Sequence, residues 1–230
     1  MSDWISFWDT PHSIYVNARH RDVHYRGIAE DVRAYVPGPD AAVMDYGCGE
    51  ALHADLVAGA AGRLLLVEAA AGVVKSLGTR FAGEPKIEVL PAARLDNQPD
   101  HAIDLIVTHS VAQYLSADAL AAALVQFRRL LRPNGLLIVG DIIPPDLSAL
   151  ADVRALLRLA SANGFLGAAL IGLARTAASD YTRLRTTLGL ARYDEPTMLA
   201  ILATAGFSGW RAAANIGHNQ QRMTFLARPR

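Results

Sequence analysis

Three acids and two glycines in the first third of the chain carry the strongest chemical signal. Asp45 follows the apolar run Ala42-Val43-Met44, the stretch Tyr46-Gly47-Cys48-Gly49-Glu50-Ala51 comes next, and Glu68 ends a second apolar run, Leu64-Leu65-Leu66-Val67. Glycines at 47 and 49 permit positive φ and let a ligand approach main-chain amides that a Cβ would cover. An acid ending the second strand about 23 residues after Asp45 stands close to the spacing at which a carboxylate meets ribose hydroxyls in a βαβ unit. The residues after Gly47 read Cys48, Gly49, Glu50, Ala51, Leu52, so the third glycine of a dinucleotide fingerprint is missing. Glu50 also stands at a helix start, where it would repel a pyrophosphate. The expected ligand is therefore a nucleoside bearing positive charge rather than a diphosphate.

Further polar groups fall where a second reactant would meet that nucleoside. His109, Ser110, Gln113 and Tyr114 follow the run Ile103-Asp104-Leu105-Ile106-Val107-Thr108, and polar residues at the carboxyl end of a central strand sit where open α/β sheets bind ligands. These four can orient a substrate or support the first ligand. Asp141 ends another apolar run and is open to two readings, a base or a helix cap. His20 and His24 lie four apart, a metal-ligand spacing, but His20-Arg21-Asp22-Val23-His24 lacks the glutamate that a zinc hydrolase places beside its first histidine, so no metal is expected. His218-Asn219-Gln220-Gln221 falls in an expected hairpin, where a turn explains it equally well.

Alternating strands and helices must position these groups, the pattern of a mostly parallel sheet. Strands are expected over 42–46, 64–68, 87–90, 103–108 and 136–141, with helices over 51–58, 70–81 and 117–131. Arg132-Pro133-Asn134-Gly135 gives a sharp stop before the fifth strand. After several helices between Pro144 and about Tyr193, strands return over 210–214 and 222–227. Near the N-terminus, Tyr15 to Tyr25 continues to Ile28, Val32 and Val36 at helical spacing, an amphipathic helix lying on the sheet edge or over the ligand.

Asp45, Gly47 and Gly49 resemble motif I of the class I S-adenosylmethionine (SAM) methyltransferases, with Ala51 in place of its last glycine. Leu131-Arg132-Pro133-Asn134-Gly135-Leu136-Leu137 resembles the L-(R/K)-P-G-G-x-L connection of the same class, and Ile103 to Leu115 resembles its fourth strand and following loop. The chain is thus similar to the type 11/12 methyltransferases over about 40–230. The resemblance implies an α/β fold with a Rossmann-like, seven-stranded, mostly parallel sheet whose last two strands form a hairpin. It implies a helical lid at 1–38, a SAM-binding core at 39–146, a helical substrate cap at 147–194, and a closing helix and hairpin at 195–230. The cofactor set it implies is Asp45, Gly47, Cys48, Gly49, Glu68, Ala69, Ala92 and Ser110, with S-adenosylhomocysteine as product. Substrate contacts fall to Tyr15, His20, Gln113 and Tyr114, and base roles to His109 and Asp141. Pro91 occupies the place of the family's adenine-binding acid, which leaves the Ala92 amide, apolar stacking and, from further along, Asp96 as the alternatives for the adenine. Two other readings stay open, a nicotinamide-dependent Rossmann oxidoreductase and a SAM-binding protein without catalysis.

Composition narrows the partners. Among 230 residues, 52% are hydrophobic and 19% charged, enough for one well-buried α/β core. Lys and Arg number 22 against 22 Asp and Glu, which gives no electrostatic reason for a nucleic-acid partner and leans toward a small or lipophilic acceptor. Cys48 is the single cysteine, so an internal disulfide is impossible and a cytoplasmic setting is expected. The start of the chain has no basic n-region, so no signal peptide is expected. The most apolar later window, Gly164 to Ala174, is too short to span a bilayer.

Overall fold

The apolar runs become the centre of one seven-stranded sheet in the computed structural model, which describes residues 2–9, 15–176 and 189–230. Strands β1 (Ala42–Tyr46), β2 (Arg63–Glu68), β3 (Ile87–Pro91), β4 (Ile103–His109) and β5 (Leu131–Ile142) run parallel, β6 (Phe207–Arg211) shares their direction, and β7 (Met223–Pro229) runs antiparallel between β5 and β6. The order is β3-β2-β1-β4-β5-β7-β6. Residues 64–67, 105–107 and 137–139 are completely buried, as continuous runs must be when both faces of a parallel sheet are covered. Helices α1 (Ser2–Trp8), α2 (Ala18–Arg33), α3 (Ala54–Ala60), α4 (Ala71–Arg80), α5 (Ala117–Leu130), α6 (Ala149–Ala162), α7 (Leu166–Thr176) and α8 (Glu195–Thr204) surround it. Part of the expected cap, 177–188, lies outside the described residues.

Side-chain oxygens set several helix starts. Ser116 accepts from the Ala119 amide, Ser148 from Ala151, and Asp194 from Thr197 with Pro196 in the first turn. Asn17 caps α2 by accepting from the His20 amide, and His20 Nδ1 accepts from Val16 N at 3.3 Å. The helix expected from Tyr15 therefore begins at Ala18.

Three boundaries differ from the sequence reading, each for a local reason. Ala51 has φ +44, a left-handed conformation that ends the glycine loop and delays α3 to Ala54. The Arg132–Gly135 stretch is a register excursion inside β5: Leu131 already pairs with Ile103, and pairing resumes at Leu105 with Leu136. Gly206, with φ +85, ends α8 so abruptly that β6 starts at the buried Phe207, three residues before the expected start.

The order reverses between β1 and β4, which opens the crevice used by ligands in such sheets. Gly47 lies at its floor with φ +74, and a Cβ there would stand 2.4 Å from Val111 Cγ2. Packing against the loop after β4, as well as room for a ligand, thus demands glycine. Gly47→Ala should destabilise the protein by about 2–4 kcal/mol, the sum of left-handed strain and overpacking. Adding Val111→Ala should remove the steric part and leave the strain, which urea unfolding of the single and double variants will resolve.

Candidate active site

A cavity of about 1260 Å³ opens over the carboxyl ends of β1, β2, β4 and β5. It gathers every site residue expected from sequence: Asp45, Gly47, Cys48, Gly49, Glu68, Ala69 and Ala92 on one side, and Ser110, His109, Asp141, Tyr15, His20, Gln113 and Tyr114 on the other.

The first side is acidic. Glu68 Oε2 accepts from Gly49 N at 2.9 Å, while Oε1 accepts from Ala69 N and Ala70 N at 2.6 and 3.1 Å. The carboxylate therefore fastens the glycine loop to the start of α4 and keeps one lone pair on Oε2 for a further donor. Asp45 stands half-buried beside it. Burial, and then the Glu68 charge, push the Asp45 carboxyl up to about 7, and no cation or amide among the described residues reaches it. Burial, followed by Asp45 and Glu68, also drives the Cys48 thiol well up, so Cys48 is a filler rather than a nucleophile.

The second side is aromatic and neutral. Trp4 and Trp8 of α1 pack on Tyr114 with ring centroids 4.7 and 5.7 Å away, and Tyr15 lies against His20, His24 and Tyr25 at 5.4, 5.5 and 5.9 Å. His24 approaches His218 at 5.8 Å, and His20 stacks on Phe165 at 5.3 Å. Burial lowers His24 to about 3, with His109 and His218 adding to the effect and Asp141 opposing it. Burial and then His218 lower His20 to about 4, and burial is also the largest cause that lowers His218. These imidazoles are neutral at pH 7. The buried atoms His24 Nδ1 and Gln113 Oε1 have no hydrogen-bond partner among the described residues. Among the described residues no group of three or more His, Cys, Asp or Glu could hold a metal.

Between the two sides stands an ion network that the sequence did not reveal. Asp141 Oδ2 accepts from Ser110 Oγ at 2.5 Å and pairs with Arg222 Nη1 at 2.6 Å; Arg222 Nη2 reaches Asp152 at 3.1 Å. Burial alone would raise Asp141, but Arg222, His109 and the Ser110 hydrogen bond outweigh it and hold the carboxyl below its usual range. His109 Nε2 meets the Ile216 carbonyl at 3.1 Å, and its Nδ1 meets Ser110 Oγ at 3.1 Å. The carboxylate of Asp141 is thus engaged and could remove a proton only by giving up these bonds, whereas a neutral His109 that donates from Nε2 to Ile216 O keeps the Nδ1 lone pair, because the one Ser110 hydroxyl proton goes to Asp141. Sequence reasoning did not select Arg21, Tyr25, Asp152 or Arg222. Only Arg21 and Tyr25 had a local signal, their spacing on α2.

This topology, an acid-ended β2 beside a glycine loop with an antiparallel seventh strand, is the fold of class I SAM-dependent methyltransferases. Residues 44–139 match the family described as methyltransferase domain. No curated protein matches the sequence. Solved structures with the same fold include the DhpI complex with S-adenosylhomocysteine, at TM-score 0.63 and 15% identity over 99% of this chain and 96% of that one. A putative type 11 methyltransferase from Sulfolobus solfataricus is similar at TM-score 0.54 and 15% identity over 87% and 90% of the two chains. The CurJ carbon methyltransferase gives TM-score 0.54 and 13% identity over 84% of this chain; the match spans about half (49%) of the CurJ structure.

Arg222→Met should cost about 3–5 kcal/mol, because it leaves the buried Asp141 charge uncompensated. Adding Asp141→Asn should recover most of that loss in urea unfolding. Since Asp141 titrates below its ordinary 3.8, its own contribution is complete above about pH 4 and is lost as pH falls through the lowered value. The stability difference between wild type and Asp141→Asn should therefore close only in acid.

Proposed function

We propose that this chain transfers the methyl group of SAM to a small, uncharged, lipophilic acceptor by in-line displacement. The observation that carries the reading is the half-buried Asp45 carboxyl beside Glu68: two acids at adjacent strand ends fit a ligand with cationic groups and a ribose. SAM supplies a methyl on a sulfonium, already a good leaving group. What remains for the protein is to align the acceptor opposite the S–CH3 bond and to exclude water. Trp4, Trp8, Tyr15 and Tyr114 provide an apolar chamber for that acceptor, and Ser110 with Asp141 stands at the boundary between the two reactants. Glu68 binds ribose through its remaining lone pair, and the Ala92 amide faces the adenine. The oxidoreductase alternative fits poorly, since Asp45, Glu50 and Glu68 surround the loop where a pyrophosphate would sit.

Isothermal titration with SAM, S-adenosylhomocysteine and NAD tests the reading: both adenosyl ligands should bind at micromolar concentration and NAD should not. Absence of adenosyl binding would overturn it. A bound cation favours the ionised form of Asp45, so SAM affinity should rise about tenfold between pH 6 and 8, as Asp45 ionises, and then level off. Asp45→Asn should weaken SAM and flatten that profile. Glu68→Ala should cost about 1–3 kcal/mol of SAM binding through lost charged hydrogen bonds. Turnover on a pool of lipophilic acceptors, followed by S-adenosylhomocysteine release, separates an enzyme from a protein that only binds SAM.

A further inference from the structure

Hydrogen-bond accounting around His109 leaves one contact without a proton. The ring is closely held: a Cβ on Gly140 would stand 2.8 Å from its Cδ2, and a Cβ on Gly217 3.5 Å from its Nε2. Nε2 meets the Ile216 carbonyl at 3.1 Å, and a carbonyl only accepts, so the ring proton of a neutral His109 sits on Nε2. Nδ1 then presents a lone pair to Ser110 Oγ at 3.1 Å, while the single Ser110 hydroxyl proton goes to Asp141 Oδ2 at 2.5 Å. Lone pair therefore faces lone pair between His109 and Ser110. One added proton on Nδ1 gives that contact its donor and leaves every other bond in place. Ser110 and Asp141 both hold positive φ, +59 and +63, where they face each other across the ends of β4 and β5.

The surroundings favour that added proton and say what kind of molecule delivers it. The titratable and charged groups facing His109 among the described residues are Asp141 on β5, Arg222 and His218 on the C-terminal hairpin, and His24 on α2. Arg222 is shared between Asp141 and Asp152, so negative charge is in excess beside the imidazole. Trp4, Trp8, Tyr15 and Tyr114 wall the same part of the cavity with rings. The other cations lining the cavity lie elsewhere, Arg21 paired with Glu50 beside the glycine loop and Arg80 on α4 within electrostatic reach of Cys48. A carboxylate or phosphate on the acceptor would find no counter-ion among these rings, so the acceptor enters uncharged and becomes a stronger nucleophile by losing a proton there.

We propose that His109, Ser110 and Asp141 form a proton-accepting station, and that the acceptor is an uncharged aromatic molecule methylated on a hydroxyl oxygen, an inference that rests on the SAM reading above. The acceptor hydroxyl donates to Ser110 Oγ. As the acceptor oxygen bonds to the methyl carbon, the C–S bond breaks and its electron pair stays on sulfur. The acceptor proton passes to Ser110 Oγ, and the serine's own proton passes to His109 Nδ1. Positive charge thus leaves the sulfonium and arrives on an imidazolium beside the Asp141 carboxylate. His109 then donates to Ser110 and Ser110 to Asp141, until solvent takes the proton as product leaves.

4-Nitrophenol, whose phenolate absorbs visible light, tests the station on protein saturated with S-adenosylhomocysteine, where no methyl can be transferred. At about pH 6 the free probe is mostly un-ionised; bound to wild type it should ionise about tenfold more readily, a midpoint displaced by about one pH unit to the acid side. His109→Gln and Ser110→Ala should each bind the neutral probe within about threefold of wild type and lose that displacement, and the retained binding shows that both variants fold. A probe bound to wild type without the displacement, or a displacement that survives His109→Gln, would overturn the station. Absence of probe binding would overturn the aromatic hydroxyl acceptor. These outcomes leave the SAM reading standing, because S-adenosylhomocysteine binding is measured first and separately; a protein that binds none of it would overturn both.

Discussion

Two carboxylates at the ends of adjacent parallel strands, Asp45 and Glu68, are the constraint around which the ligand end of this protein is organised. Glu68 lowers the cost of its own charge by collecting three main-chain amides, and in doing so it ties the glycine loop to the start of α4. Asp45 has no such partners and shares the same low-dielectric crevice. The Glu68 charge accordingly raises Asp45, Tyr46 and Cys48 together, in each case after burial. A site in this condition is preorganised for positive charge, since a cation there relieves a repulsion that the fold maintains in its absence.

Backbone strain gathers at the same edge. Ala51, Ser110 and Asp141 are non-glycine residues with positive φ, and they follow or end β1, β4 and β5 on the cavity side. Such conformations persist only where surrounding contacts over-determine them. For Ser110 and Asp141 those contacts come from the C-terminal hairpin: Arg222 on the Asp141 carboxylate, Asn215 Oδ1 accepting from the Asp141 amide, and Ile216 O accepting from His109. Asn215 is itself buried and held by Thr224, Asn219 and Gln220. The hairpin therefore closes the sheet and also sets the Ser110–Asp141 wall of the cavity.

What the sequence made legible follows the range of the interactions involved. The strands 42–46 and 64–68 were readable because a run buried on both faces needs no partner to be recognised, and Gly47, Gly49 and Glu68 because their roles depend on neighbours in one βαβ unit. The Trp210–Ala214 expectation fell three residues late, since the left-handed Gly206 releases the chain into β6 at once and leaves Trp210 two-fifths exposed. The engagement of Asp141 was invisible for a stronger reason: its arginine lies 81 residues further on, and neither spacing nor composition marks that pair. His20 shows a local role obscured by another pattern, because the metal-like spacing to His24 drew attention from the cap that it makes with Asn17 and Val16.

The two halves of the cavity differ in kind, and helix α2 with its leading residues belongs to both. Arg21 and Tyr25 face the glycine loop, whereas Tyr15, His20 and His24 face the aromatic chamber against Phe165 and His218. The hydrogen bond between Tyr15 and Tyr25 joins the two halves of the cavity. Neutral imidazoles suit that arrangement, because a chamber without fixed positive charge adds no repulsion toward the sulfonium entering from the acidic side.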